Sequence, residues 1–261
     1  MAKILIGYSA CQLTRAAFEA HGHDVWTCDL LPSRGESPKH LQCDIWTALA
    51  MGWDMAVLHP MCTYLNNASV WALKDPDLER YPHKGGYHQR LKPGTLFGAE
   101  RRAAKAADVA NFKRLLDLPF PVAIENPAPS GINTAIRPPN QVIHPYMFGD
   151  DASKGTGFWL TKGLPLLAPT QYVEPRLVCD QKHVFKYGEH KCPECGSHKY
   201  LPRWANQTDS GQEKTTPGDD RWLERSKTWP GIAAAMGDAW GRYLNVLSNH
   251  RTDYRMREIL E

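Results

Sequence analysis

Val57-Leu58-His59-Pro60-Met61-Cys62-Thr63-Tyr64-Leu65 joins a short apolar run to a Pro-x-Cys turn. An apolar run of this length, closed by proline, reads as an interior strand of a parallel sheet, buried on both faces. Ligands of such sheets bind beyond the carboxyl ends of the strands. The turn therefore puts the Cys62 thiol at the edge where a ligand would lie. Val122-Ala123-Ile124 is a second run of this kind, and it ends in Glu125-Asn126-Pro127. A lone cysteine is more often a buried core thiol. Cys62 differs in following a proline at a strand end, and the basic stretch after it offers the positive charge a thiolate needs. Glu125 follows buried strand, so it must be paired, exposed at the rim, or protonated. The protonated form suits an acid that donates to a ring nitrogen.

Outward from this stretch, strand and helix alternate. Lys3 to Gly7 reads as a strand, Leu13 to Ala20 as a helix stopped by Gly22, and Asp24 to Asp29 as a second strand. His40 to Asp44 is a third strand, Trp46 to Met51 a helix, and Trp53 to Leu58 the fourth strand. This rhythm predicts an α/β fold with a doubly wound, Rossmann-like parallel sheet. Lys74 to Leu96 is a long polar loop with several prolines and basic residues, the composition of a functional lid. Phe97 to Leu116 follows as a helix, with Ala99, Ala103, Ala106, Ala107, Ala110 and Leu115 on its apolar face. After Pro127 helical periodicity disappears, and Phe158 to Leu160 stands out as one more strand. Pro230 opens a final helix running to Leu247. The chain divides into 1–160 as the catalytic unit, 161–228 as a small irregular insertion, and 229–261 as a helix returning to the first part.

The 261 residues suffice for a full core, and 42% hydrophobic with 23% charged content is ordinary for a globular chain. A net charge of +3 is too small to argue for nucleic acid by itself. No apolar window is long enough for a membrane span, and the first residues read as a strand rather than a signal peptide. A cytoplasmic location is therefore expected. In that setting the seven cysteines favour free thiols and a metal site over disulfides.

Cys179-x3-His183-x8-Cys192-x2-Cys195 has the ligand types and spacing of a structural, tetrahedral zinc site. His190 and His198 compete for the fourth position, and four unrelated residues would give the same letters. Asp29 and Asp44 each end a strand. In nucleoside-binding sheets a carboxylate after the second strand accepts from ribose hydroxyls; Asp44 would meet an adenine amino group. Turn or helix capping explains most such aspartates equally well. Arg203, Lys214, Arg221, Arg225 and Lys227, interleaved with Trp204, Trp222 and Trp229, would track a phosphate backbone or form a solvated face over core tryptophans. A thiol and a carboxylate at two strand tips suit covalent attack on a pyrimidine ring, followed by one-carbon transfer.

The order Asp29, Asp44, Pro60-Met61-Cys62, Glu125-Asn126 resembles the cytosine-C5 DNA methyltransferases, and most closely a compact phage-type branch. That branch shows His-Pro-Pro-Cys-Thr-Tyr-Leu at His59 to Leu65 and Ile-Glu-Asn-Pro at Ile124 to Pro127. Arg203 to Gln212 and Pro230 to Met236 are similar to it as well. The resemblance implies a methyltransferase sheet that binds S-adenosyl-L-methionine through Tyr8, Ser9, Asp29, Asp44 and Pro60. It implies Cys62 as nucleophile on a cytosine flipped out of DNA, with Glu125 and Asn126 beside it. The zinc-bearing segment would then serve target recognition. A free pyrimidine nucleotide is the alternative substrate, and a catalytically silent zinc or DNA-binding scaffold the alternative class. The chain departs from the family at Tyr8-Ser9-Ala10-Cys11-Gln12, which lacks the expected glycines, and at Met61. It also has Ser153-Lys154-Gly155-Thr156 in place of a Gln-x-Arg-x-Arg strand.

Overall fold

The computed structural model describes residues 1–9, 12–33, 35, 37–77, 79–80, 84–86, 89–90, 94–128, 130–215 and 227–248. Seven strands form the main sheet: β1 (Lys3–Gly7), β2 (Asp24–Asp29), β3 (His40–Gln42), β4 (Met55–Leu58), β7 (Val122–Pro127), β8 (Gln141–Ile143) and β9 (Thr156–Leu160). Their order is β3-β2-β1-β4-β7-β9-β8. The first five run parallel, which makes the fold α/β and Rossmann-like. β9 runs antiparallel to both of its neighbours, which corrects the expectation of a wholly parallel sheet. A short hairpin, β5 (Lys84–Gly86) with β6 (Gln89–Arg90), occupies part of the stretch read as a lid. The order reverses between β1 and β4, and this switch point opens a crevice at the carboxyl edge.

Alternation along the strands builds a core on each face. Ile4, Ile6, Met55, Val57, Ala123 and Phe158 face one way, and α1 (Gln12–Glu19) and α5 (Pro230–Met236) cover them with Phe18 and Met236, joined by Trp240 just beyond α5. Leu5, Ala56, Leu58, Val122, Ile124 and Trp159 face the other way, under α2 (Ile45–Leu49) and α3 (Gly98–Leu116). Two-sided burial is why the central strands read as continuous apolar runs. Gly7 ends β1 where a Cβ would come within 2.6 Å of the Leu58 side chain and 2.5 Å of the Ile45 side chain, so a larger residue would have to push those tips aside between β4 and α2. The alanines of α3 do not face the core as expected. Ala99, Ala103, Ala106, Ala107 and Ala110 are exposed; Leu115 is buried as expected, together with Arg101 and Phe112. Alanine supplied helix propensity there, not packing.

α5 continues through a π-turn, Gly237–Gly241, placed where it crosses α1. A Cβ on Gly237 would come within 2.5 Å of the Ala17 carbonyl. His23 clasps both ends of the fold: its Nδ1 accepts from Ala2 N, and its Nε2 donates to Gly241 O. One nitrogen accepts and one donates, so the ring is held neutral. Burial lowers its pKa below the ordinary 6.5, more than the Gly241 bond raises it. The unfolded chain then binds the extra proton, and stability is full above about pH 6.5 and falls as pH drops below it. Melting curves between pH 7.5 and 5 should show this slope, and His23→Gln should flatten it.

Residues 161–228 are not irregular throughout. β10 (Arg176–Cys179), β11 (Val184–Phe185) and β12 (Tyr200–Arg203) form an antiparallel sheet in the order β11-β10-β12. Its core is small, with Leu177, Cys179, Phe185 and Cys192 buried beside Tyr200. α4 (Gly131–Ile136), which follows β7, and β8 were not visible as periodic patterns because each is too short to show one.

Candidate active site and metal centre

The loop after β4 is held by side chains at four of its carbonyls. Asn126 Nδ2 donates to Pro60 O at 2.9 Å, and Asn66 Nδ2 to Cys62 O at 2.6 Å. Arg101 Nη2 donates to Thr63 O at 3.1 Å, and Ser130 Oγ donates to Leu65 O. Four donors from three different segments fix this backbone around a partly buried Cys62 that is in no disulfide. Arg101 also stacks on Tyr64, its guanidinium carbon 4.9 Å from the ring centre. Arg101 thus holds the two residues that follow Cys62, Thr63 by its carbonyl and Tyr64 by its ring.

Asn126 is buried, and its amide is shared between Pro60 and Asn133, whose Nδ2 reaches Asn126 Oδ1 at 3.2 Å. It therefore positions the Cys62 loop against β7. Glu125, the residue before it, pairs with His59: Nδ1 lies 2.8 Å from Oε2. Of the three states expected for Glu125, the paired one is found. Burial pushes the carboxyl up, but the His59 hydrogen bond, with the charge His59 carries when protonated and that of Lys154, outweighs it and holds the pKa below its usual value. His59 and Glu125 line a cleft with Lys154, Thr156, Phe158 and Trp229. Sequence reasoning gave no role to His59, Arg101, Asn133 or Ser130. Only His59 carried a signal, as the residue entering the Pro-x-Cys turn.

The residues expected at the donor gather at the tips of β1, β2 and β3. Tyr8 has a left-handed backbone, φ 58°. That conformation costs a non-glycine residue about 1–2 kcal/mol. Its hydroxyl accepts from Asn111, and burial with the charges of Asp44 and Asp108 raises its pKa. Ser9 N bonds to Cys28 O, beside Asp29. Asp29 Oδ1 accepts from Leu31 N in a turn, and Asp44 Oδ1 caps α2 through Trp46 N. The capping alternative thus holds for one oxygen of each. Pro60 follows His59, whose N–H bonds to Gly7 O across the switch point. Ala10 and Cys11 lie outside the described residues.

Cys179, His183, Cys192 and Cys195 converge, with all four ligand atoms within 4.8 Å of one another. A tetrahedral zinc with Zn–S of about 2.3 Å and Zn–N of about 2.05 Å sets S···S near 3.8 Å and S···N near 3.6 Å. Cys179 Sγ and Cys195 Sγ are 3.8 Å apart, and Cys192 Sγ and His183 Nδ1 are 3.6 Å apart. The cluster can therefore hold a zinc ion. His190 and His198 are outside it, and His198 Nδ1 instead meets His190 O. Backbone groups aim at the sulfurs. Burial raises the Cys192 thiol, but the N–H groups of Cys195 and Glu194, with His183, bring it down to about 7. His183 Nε2 faces Glu194 at 3.7 Å, and such outer carboxylates orient a ligating ring.

The metal cluster is tied to the other site through the segment after β12. Arg176 donates to Trp204 O and Gln207 O, and the Trp204 ring stacks on Tyr146 with centres 4.3 Å apart. The Asn206 amide grips Ser153 at both its N–H and its carbonyl. Ser153 immediately precedes Lys154 at the cleft. Of the basic and aromatic run, Arg203 folds back onto Pro202 and Asp209 carbonyls, and Trp229 packs on the core. Arg221, Trp222 and Arg225 lie outside the described residues. No protein-family model matches the chain, and no curated protein matches it. No described helix is long and apolar enough to cross a membrane.

Proposed function

We propose that the protein is an S-adenosyl-L-methionine-dependent methyltransferase that modifies carbon 5 of cytosine in DNA through a covalent Cys62 adduct. The observation that carries this reading is the Asn126–Pro60 bond. It locks the Cys62 loop to the strand bearing Glu125, at the ligand-binding edge of the sheet. Preorganised nucleophile loops reduce the cost of reaching the attacking geometry. The donor-site residues fit a nucleoside: Asp29 and Asp44 each keep a second carboxylate oxygen beyond the capped one, and Tyr8 and Ser9 follow β1 next to the switch point. Tyr8, Ser9, Asp29, Asp44 and Pro60 would hold S-adenosyl-L-methionine, which supplies an electrophilic methyl group when bound.

The protein's own residues do the rest. The Cys62 thiolate adds to ring carbon 6, which makes carbon 5 nucleophilic. Glu125 meets the ring's nitrogen edge, and Asn126 keeps loop and strand in register. The target must leave the duplex to enter the cleft, and the zinc segment would serve target recognition.

Calorimetric titration with S-adenosyl-L-methionine and its demethylated product tests the donor. Binding is expected, weakened about tenfold or more in Asp29→Ala, since a lost charge-assisted hydrogen bond is worth about 1.5–3 kcal/mol. No binding at millimolar ligand by folded protein would remove the donor from the reading. Labelled methyl transfer to duplex DNA should fall steeply with salt; transfer to a free nucleotide with little salt dependence would reassign the substrate.

A further inference from the structure

The cytosine reading leaves one proton unassigned: the hydrogen on carbon 5, which must depart after the methyl group arrives. It also leaves His59 without a task. His59 points Nδ1 at Glu125 Oε2, 2.8 Å away, and both side chains are largely buried. An ionised carboxylate only accepts, so Nδ1 carries the hydrogen and the tautomer is fixed. In the neutral ring, Nε2 is then left with a lone pair. That atom is buried and has no hydrogen-bond partner among the described residues. Buried polar atoms without partners are rare and costly, and each calls for a reason. His59 and Glu125 line the same cleft, so a ring bound against Glu125 also meets His59. A carboxylate that orients an imidazole whose far nitrogen has no partner, in a residue that lines a cleft, is the arrangement of a general base.

We propose that His59 is the catalytic base of this site and that its Nε2 takes the proton from carbon 5 of the pyrimidine. The proposal rests on the Cys62–pyrimidine adduct but not on the methyl donor. With Cys62 Sγ bonded to carbon 6, the carbon 5–hydrogen electron pair re-forms the carbon 5–carbon 6 double bond. The carbon 6–sulfur bond breaks, and its electrons leave on Cys62 as thiolate. The proton goes to Nε2, and the resulting imidazolium is stabilised by Glu125 before it releases the proton to solvent. The other charged groups facing the cleft are Lys154, ahead of β9, and Lys227, ahead of α5. Both are cations, which favour return of the proton to solvent.

Without any donor, the same groups exchange the hydrogen on carbon 5. Cys62 adds, solvent delivers a deuteron to carbon 5 on the face the methyl donor would otherwise occupy, His59 removes the original proton from the opposite face, and Cys62 leaves. The test is deuterium incorporation at carbon 5 of cytosine in heavy water, followed by mass spectrometry, with duplex DNA, single-stranded DNA and free cytidine nucleotides as substrates. Wild-type protein should exchange. His59→Gln, which can still donate to Glu125, should lose at least about 100-fold, and exchange by His59→Ala should be restored by added imidazole. Both variants are checked for an unchanged melting profile. Exchange by His59→Gln within a few-fold of wild type overturns the proposal. So does loss in both variants without imidazole rescue, which would make His59 a support for Glu125. Exchange by wild type on none of the substrates removes the pyrimidine-adduct reading itself, an outcome distinct from failure of His59 alone.

Discussion

Replacing Cys62 by alanine is expected to abolish methyl transfer, by at least about 10³-fold, while leaving the melting temperature nearly unchanged. The two halves of this expectation have separate grounds. The thiol is only partly buried and joins neither main core cluster, so removing it opens no large cavity. The loop is held by carbonyl contacts from Asn126, Asn66, Arg101 and Ser130, none of which needs the Cys62 side chain. Nucleophilic catalysis, by contrast, has no substitute when the attacking atom is gone. The measurement is covalent capture on DNA carrying 5-fluorocytosine, where fluorine cannot leave as a proton does and the adduct persists through denaturation. Wild type should give a slow-migrating protein–DNA band, and Cys62→Ala none. Asn126→Ala separates position from chemistry: capture should slow by roughly 10–100-fold yet still occur. Intact biological activity in Cys62→Ala would favour the silent-scaffold alternative.

These contrasts show which parts of the site the sequence could carry. β1, β4 and β7 were legible because burial on both faces turns them into apolar runs, and their ends carry residues that stand out against those runs. Cys62, Glu125 and Asn126 were found for that reason. The antiparallel direction of β9 was not legible, since Thr156 to Leu160 has the same apolar letters whichever way it runs. Arg101 was hidden differently. A charged residue on an alanine-rich helix reads as solvent-facing, and its burial is explained only by Leu96 and Thr63 carbonyls brought to it by tertiary structure. His59 was read as part of a motif, because its partner Glu125 is 66 positions away and adjacency across β4 and β7 is a property of register. The metal ligands were the easiest to read, as ligand chemistry restricts both residue type and spacing, and His183 was chosen over His190 and His198 on spacing alone.

Removing the metal is expected to unfold the three-stranded sheet while the seven-stranded sheet survives. β10, β11 and β12 bury only Leu177, Cys179, Phe185 and Cys192, with Tyr200 packed alongside. A core that small does not offset the chain entropy of fixing its loops. Three thiols packed against one another also oppose shared ionisation: a bond from Ser197 pulls the Cys195 thiol down, but burial and then neighbouring Cys192 and Cys179 push it up to about 11. A divalent cation reverses that balance, and zinc binding to such ligand sets supplies about 10–16 kcal/mol of folding free energy. Purified protein should release about one zinc per chain when its thiols are blocked, and Cys192→Ser should retain almost none. Protease should then cut between Arg176 and Arg203 in the metal-free form at sites resistant in the loaded one. Activity should fall with the metal although no ligand lies at the cleft. Arg176, at the head of β10, holds the Trp204 and Gln207 carbonyls, and Asn206 between them grips Ser153 beside Lys154. Asn206→Ala should therefore reproduce part of that loss in zinc-replete protein. Full activity in the metal-free form would mean that the Asn206–Ser153 grip survives without its supporting sheet, and would separate the two sites.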